Sequence, residues 1–262
     1  MKNIKVDPEN GVHSVDTWME QERKRTQLLK DIEEGKSNEL FLNDDKWYSE
    51  NIKSVVPIYK DLVPMKSGTV KIKQMFVSSD RARWDNLYSM MNHNSSIQNI
   101  DPGHYIVLEI DLETMMSDTP MERITNRDFI KNATGDVLIG GLGLGMCIQA
   151  LLNKPDVTSI TIIELNNDVI KLVAPLFKND KVKIIHNDIF TWVPDNGQKF
   201  DTIYFDIWYT ADSENIKSEM NPLIRRYRKY LKDKTINWIS AWRLEELRAQ
   251  RRREQRSNNF WY

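Results

Sequence analysis

Four glycines, Gly140, Gly141, Gly143 and Gly145, fall within six consecutive positions between two apolar runs in "DVLIGGLGLGMCIQALL", residues 136–152. A turn that tight suits backbone without side chains, and an apolar strand entering it and an apolar helix leaving it form a strand–turn–helix junction. The chain beyond keeps the same rhythm: "SITIIEL" reads as a strand, "NNDVIKLVAPLF" as a helix, and "KVKIIHND" and "FDTIYFD" as strands. "ENIKSEMNPLIRRYRKYLK" then reads as a helix and "TINWISAW" as a fifth strand. Apolar strand runs alternating with helices predict an α/β fold, a doubly wound and mostly parallel sheet covered on both faces. In such sheets ligands bind outside the carboxyl ends of the strands.

Residues 1–115 read differently, as a smaller N-terminal α+β part, with residues 116–262 forming the parallel domain. "SVDTWMEQERKRTQLLKDIEEG" (14–35) has a capping start and a glycine end, predicting a charged surface helix. "GTVKIKQMFV" (68–77) and "GHYIVLEIDLE" (103–113) read as strands separated by a helix near "RARWDNLYSMMN". The 262 residues, 40% hydrophobic, suffice for a full core, and a net charge of −1 gives no global attraction to polyanions. Cys147 is the only cysteine and the four histidines are scattered, so no intramolecular disulfide and no metal site is expected. The sequence contains no apolar run of about 18 residues, so no membrane association and a cytoplasmic location are expected.

Each strand end offers a polar group to a ligand. Glu164 closes the second strand about 20 residues beyond the glycines, where a carboxylate accepts from both ribose hydroxyls of a nucleoside; it equally suits the N-terminus of the next helix. Asp188 follows the third strand, placed to accept from an adenine amino group, with Ile189 and Phe190 as apolar cover. Asp206 closes the fourth and would face the reacting end of a nucleoside cofactor. Because Met146 stands where a third spaced glycine would fall, the loop reads G-x-G-x-G rather than the dinucleotide fingerprint. Trp208 and Tyr209 are placed either to stack on a flat acceptor or to pack beneath the following helix. Asp118, in "SDTPME", is either a catalytic acid or a helix cap.

Together these features resemble the class I S-adenosylmethionine-dependent methyltransferases, and within them the spermidine-synthase-like branch. The likeness covers about residues 104 to 242 and rests on the "VLIGGLGLG" strand and loop, the acid after strand two, the Asn187–Asp188 pair after strand three and the aspartate after strand four. It implies a Rossmann-like sheet and S-adenosylmethionine as cofactor. By that resemblance Gly141, Gly143 and Gly145 cradle the methionine portion, Glu164 the ribose, Asn187, Asp188 and Ile189 the adenine, and Asp206 the sulfonium region. Asp206, Tyr209 and Asp118 are the catalytic candidates. "MMSDTPMERITNRDFI" (115–130) is similar to the segment whose hairpin and helix close over the cofactor, and part of it resembles bacteriophage proteins.

The departures carry information too. "DIWYTAD" lacks the N-P-P-Y type pattern of exocyclic-amino methyltransferases, and the second aspartate that aminopropyl transfer needs has only Asp212 as a substitute. The chain runs about 20 residues beyond strand five, too few for strands six and seven, so either N-terminal strands replace them or the sheet edge is open. From Arg225 to Arg256 twelve Lys or Arg stand against four acids. That excess suits a solvated helix face, or contact with nucleic acid or an acidic protein. The expectation is methyl transfer to an unidentified acceptor. Its alternatives are aminopropyl transfer and a non-catalytic cofactor-binding protein; a homo-oligomer is compatible with all three.

Overall fold

The computed structural model describes residues 52–91 and 100–258, so the helix expected over 14–35 and the closing aromatic residues lie outside the described residues. The described chain enters through a short helix, α1 (Val56–Tyr59), and an antiparallel sheet in sequence order: β1 (Met65–Ser67), β2 (Val70–Val77), β3 (Gly103–Ile110) and β4 (Glu113–Ser117). Helix α2 (Ser79–Met91) follows β2. The alternation in β2 buries Val70 and Ile72 and leaves Lys73 outside, as period two requires. The single strand expected over 103–113 is instead a tight hairpin, because Asp111 and Leu112 both take positive φ and reverse the chain. β4 runs on to Ser117, so the antiparallel sheet crosses the boundary expected at residue 115.

Two short helices, α3 (Pro120–Thr125) and α4 (Arg127–Asn132), lead into the parallel half. Strands β5 (Gly135–Gly140), β6 (Val157–Glu164), β7 (Val182–His186), β8 (Thr202–Phe205) and β9 (Trp238–Ala241) form a five-stranded parallel sheet in the order β7-β6-β5-β8-β9. Helix α5 (Met146–Leu152) joins β5 to β6 and α6 (Asn167–Val173) joins β6 to β7. Between β8 and β9 come α7 (Ser213–Asn215), a π-helical turn (Ile216–Met220) and α8 (Asn221–Tyr227); α9 (Leu244–Asn258) follows β9. After β7 the chain crosses back to lay β8 on the other side of β5, so the switch point lies between β5 and β8. The antiparallel strands form their own sheet, and among the described residues no strand pairs with the outer edge of β9.

β5 shows why its run from Val137 is apolar. Val137 and Ile139 enter one core cluster while Leu138 enters another on the opposite face, so the strand is buried from Val137 to Gly140. The first cluster also takes Ile52, Tyr59, Val70, Ile72, Ile106 and Leu108 from the antiparallel part, which makes the two halves one hydrophobic body. At the amino ends of the strands, away from the switch point, Lys232 bridges Asp136 (2.8 Å) and Asp201 (2.5 Å). Burial alone would raise the Asp136 carboxyl, but Lys232 with the Ser159 and Thr158 hydroxyls brings it down to about 2. Among the described residues no helix is long and apolar enough to cross a membrane.

Candidate cofactor and active site

A cleft of about 420 Å³ opens where the glycine turn, the carboxyl ends of β6 and β8, and the β3–β4 hairpin meet. Gly141 and Gly143 line it, with Glu164, Ile189, Phe190, Asp206 and Tyr209. Its size falls within the range of small-molecule sites.

The glycines answer to the protein's own packing. Gly141, Gly143 and Gly145 all have positive φ, at 99°, 50° and 73°. A Cβ at Gly141 would stand 2.1 Å from the Asp206 carbonyl oxygen, one at Gly143 2.4 Å from Met116 Sδ, and one at Gly145 2.1 Å from the Phe177 ring. Gly145 therefore serves the turn into α5 and is not among the residues lining the cleft. Met116 fills the loop at Gly143, and the Leu144 N–H donates to its thioether at 3.4 Å. In the next peptide the Tyr59 hydroxyl donates to the Leu144 carbonyl at 2.9 Å.

Glu164 ties the strand end to that loop. One carboxyl oxygen accepts from Leu142 N–H (2.8 Å) and the other from Asn166 N–H (2.7 Å). Burial raises its carboxyl above the usual range, and these backbone N–H groups pull the other way. A third backbone N–H, that of Leu165, also bonds this carboxyl, which leaves it lone-pair capacity for a hydroxyl in the cleft. The helix-cap role open to Glu164 falls instead to Asn166, whose side chain accepts from Asp168 N–H and Val169 N–H.

Beyond β7 the outcome is divided. Ile189 is buried at the cleft, its carbonyl 2.7 Å from the Tyr227 hydroxyl, and Phe190 lines the opening beside it. Asn187 and Asp188 are not among the lining residues. The Asn187 side chain accepts from Asp188 N–H, and Asp188 Oδ1 from Phe190 N–H, so the pair shapes the turn that presents Ile189 and Phe190.

At the end of β8 the Asp206 N–H donates to the Gly140 carbonyl (2.8 Å), which fixes the carboxylate at the mouth of the switch point. A second carboxylate shares this corner. Glu122, in the first turn of α3, is 9% exposed and lines the same cleft. Burial raises it to about 8, the negative Asp206 adding to the effect, while a backbone hydrogen bond from Ser117 and the Arg243 charge oppose it. Asp206 is raised to about 7 by burial, against a hydrogen bond from Asn126. Fully buried Asn126 also donates to the Glu122 carbonyl (3.0 Å) and accepts from Cys147 Sγ (3.5 Å). In the sequence Glu122 stands as one of several first-turn acids and carries no signal of its own, since Asn126 bonds only its main-chain carbonyl, which any residue offers.

Other expected residues separate. Asp118 is fully buried and away from the cleft; its carboxylate accepts from the Ser54 hydroxyl (2.5 Å), Val55 N–H (3.0 Å) and Ile106 N–H (2.6 Å). It is neither at the cleft nor a helix cap, since Thr119 takes the cap position of α3. Asp212 caps α7, accepting from Glu214 N–H and Asn215 N–H, so the substitute for a second aminopropyl-transfer acid is engaged elsewhere. Tyr209 is 55% exposed at the cleft mouth, and Trp208 lines the cleft with its Nε1–H donating to Glu219. In the basic C-terminal stretch Arg243 pairs with Glu246 and Arg248 with Glu245, so part of the charge is neutralised locally.

Fold and cleft together define an α/β protein with a cleft at the switch point of a five-stranded parallel sheet. No family model matches the chain. A polyamine aminopropyltransferase of Leptospira interrogans is 27% identical over an alignment of 106 positions, a match that covers 32% of this chain and 21% of that protein. Among solved structures, an S-adenosylmethionine-dependent methyltransferase from Clostridium acetobutylicum is similar at 19% identity and a TM-score of 0.30, over 42% of this chain and 44% of that one. The N-methyltransferase NodS from Bradyrhizobium japonicum, in complex with S-adenosyl-L-homocysteine, is similar at 17% identity and a TM-score of 0.30, over 41% of this chain and 57% of that one. The matched part is thus about a fifth of the curated relative and about half of each solved structure.

Proposed function

We propose that this chain binds S-adenosylmethionine in the cleft and transfers its methyl group to an acceptor. The observation that carries the reading is the convergence of Gly141, Gly143, Glu164, Ile189 and Asp206 on one cleft at the switch point. Its chemistry fits a nucleoside: a carboxylate with free lone pairs for hydroxyls, an apolar slab of Ile189 and Phe190 for a flat ring, and bare backbone for the amino-acid end. When bound there, the cofactor supplies an electrophilic methyl carbon on a sulfonium. Glu164 holds the ribose hydroxyls, and Asp188, in the turn before Ile189, accepts from an adenine amino group through the oxygen that Phe190 N–H leaves unused. Asp206 faces the reacting end, where its carboxylate takes the acceptor's proton, and Tyr209 borders the acceptor's entry. Alignment of the two reactants supplies most of the rate effect in such a transfer.

Calorimetric titration with S-adenosylmethionine tests the reading: saturable binding that Glu164→Ala weakens is expected, and no binding would overturn it. Aminopropyl transfer from decarboxylated S-adenosylmethionine is the second reading, favoured by the Leptospira relative and by the carboxylates at the cleft. Tighter binding of the decarboxylated donor in the same titration would put it first.

A further inference from the structure

We infer that Met116 sets which adenosine thioether the cleft takes: its own thioether holds the Leu144 N–H and the space beside Gly143 until a ligand carboxylate displaces it. The inference rests on the cofactor reading above and deepens it, by assigning selection of the cofactor's amino-acid end to a residue of the antiparallel part. Its ground is geometric. In the β3–β4 hairpin Leu108 stands opposite Met116 and Glu109 opposite Thr114, so Met115 is an extra residue, a bulge. Successive residues of a regular strand point to opposite faces, but a bulge re-aims them, and Met115 and Met116 both line the cleft. Leu108 and Ile110, two apart on β3, line it as well. Met116 reaches into the glycine turn, where its Sδ stands against the position a Cβ would take on Gly143.

The N–H groups of that turn are not equally held. Gly141 N–H donates to the Ile163 carbonyl (2.9 Å), Leu142 N–H to the Glu164 carboxyl (2.8 Å) and Gly145 N–H to the Leu142 carbonyl (3.0 Å). Leu144 N–H donates to sulfur, 3.4 Å away on Met116. A thioether is a weak acceptor and a carboxylate a strong one, so of these four bonds the one at Leu144 yields to an anionic oxygen. Leu144 is fully buried and does not line the cleft, whereas Met116 does, so the way to this N–H runs past the methionine. Among the described residues no Lys, Arg or His lines the cleft, which leaves main-chain N–H groups to receive the carboxylate of a methionine-type end. A ligand that carries the carboxylate exchanges sulfur for oxygen at Leu144. One that lacks it leaves Met116 in place. The unbranched methionine side chain, with three rotatable bonds, suits such an exchange.

Two ligands read this out by calorimetric titration of the full chain. S-adenosylhomocysteine has the amino-acid end, whereas 5′-methylthioadenosine shares the adenosine and the sulfur and ends there in a methyl group. Met116→Ala removes the competing thioether and empties the space at Gly143, so it is expected to raise the affinity for S-adenosylhomocysteine by about five- to tenfold, the effect of one hydrogen bond no longer displaced. The affinity for 5′-methylthioadenosine is expected to stay as it is. Binding of S-adenosylhomocysteine to the variant alone would be the extreme form of the same result. Should Met116→Ala fail to fold, Met116→Leu, which keeps the bulk and drops the acceptor, serves in its place and is expected to give a smaller rise. No rise for S-adenosylhomocysteine, or an equal rise for both ligands, overturns the role of Met116 while the cofactor reading stands. Failure of both ligands to bind the unaltered chain and the variants overturns both.

Discussion

Glu164 does two jobs with one carboxylate, and they respond differently to substitution. Glu164→Ala removes the acceptor for two backbone N–H groups as well as the expected ribose contact. The loss is expected to lower cofactor affinity by about ten- to a hundredfold and stability by about 1–3 kcal/mol, measured by calorimetry and by urea unfolding. Glu164→Gln keeps the size and one acceptor oxygen, so its stability loss should be the smaller. Asp118 makes the contrasting case. Asp118→Ala strands two buried N–H groups and a hydroxyl, and is expected to destabilise the fold by about 2–4 kcal/mol, read from urea midpoints. Its cofactor affinity, extrapolated to the fully folded state, should be unchanged; a selective loss of binding would return Asp118 to the site.

The glycine turn is an element in which two demands coincide. Positive φ at three positions selects glycine whatever the ligand, and neighbouring protein atoms select it again. The two demands differ in how far the neighbour yields. At Gly143 the obstacle is the far end of a flexible methionine, while at Gly145 it is the Phe177 ring, which is itself buried. Gly145→Ala should therefore cost more stability than Gly143→Ala, which carries mainly the backbone penalty of about 1 kcal/mol. Paired thermal melts of the two variants decide the order.

The same element shows what could be read in advance and what could not. Alternation of strand and helix made the parallel sheet and its order of elements legible, because full burial on both faces leaves a continuous apolar run in the sequence. The acids at strand ends were legible for the same topological reason, and Glu164 and Asp206 do reach the cleft. Asn187 and Asp188 sit in the right turn but outside the lining, since which way a turn's side chains project is set by local hydrogen bonds. Glu122 was hidden because Asp206 lies more than eighty residues away, and only the tertiary fold brings both to one cleft. The clamps on Asp118 are likewise long-range and leave no periodic trace.

Across the molecule as a whole, stability follows which carboxyls folding raises and which it lowers. Glu122 and Asp206 are raised, to about 8 and about 7, so the folded protein keeps protons that the unfolded chain releases at about pH 4. Their contribution is full below that range and is lost as the pH climbs through 7 to 8. Asp136, held at about 2, runs the other way: its contribution is present above about pH 4 and lost as the pH falls towards 2. Urea midpoints are therefore expected to decline between about pH 5 and 9, and Glu122→Gln to flatten that decline. An unchanged slope in the variant would show that other groups govern it.

The backbone of Leu144 has a further consequence. Its carbonyl is held by Tyr59 and its N–H by Met116, so the two successive peptides that meet at this residue of the parallel half are both held by the other half of the chain. Neither half can be exchanged for a foreign counterpart without bringing along a ring hydroxyl and a sulfur at those two points. Drift in the antiparallel part is thereby tethered to the shape of the glycine loop, and the two halves have to be inherited together.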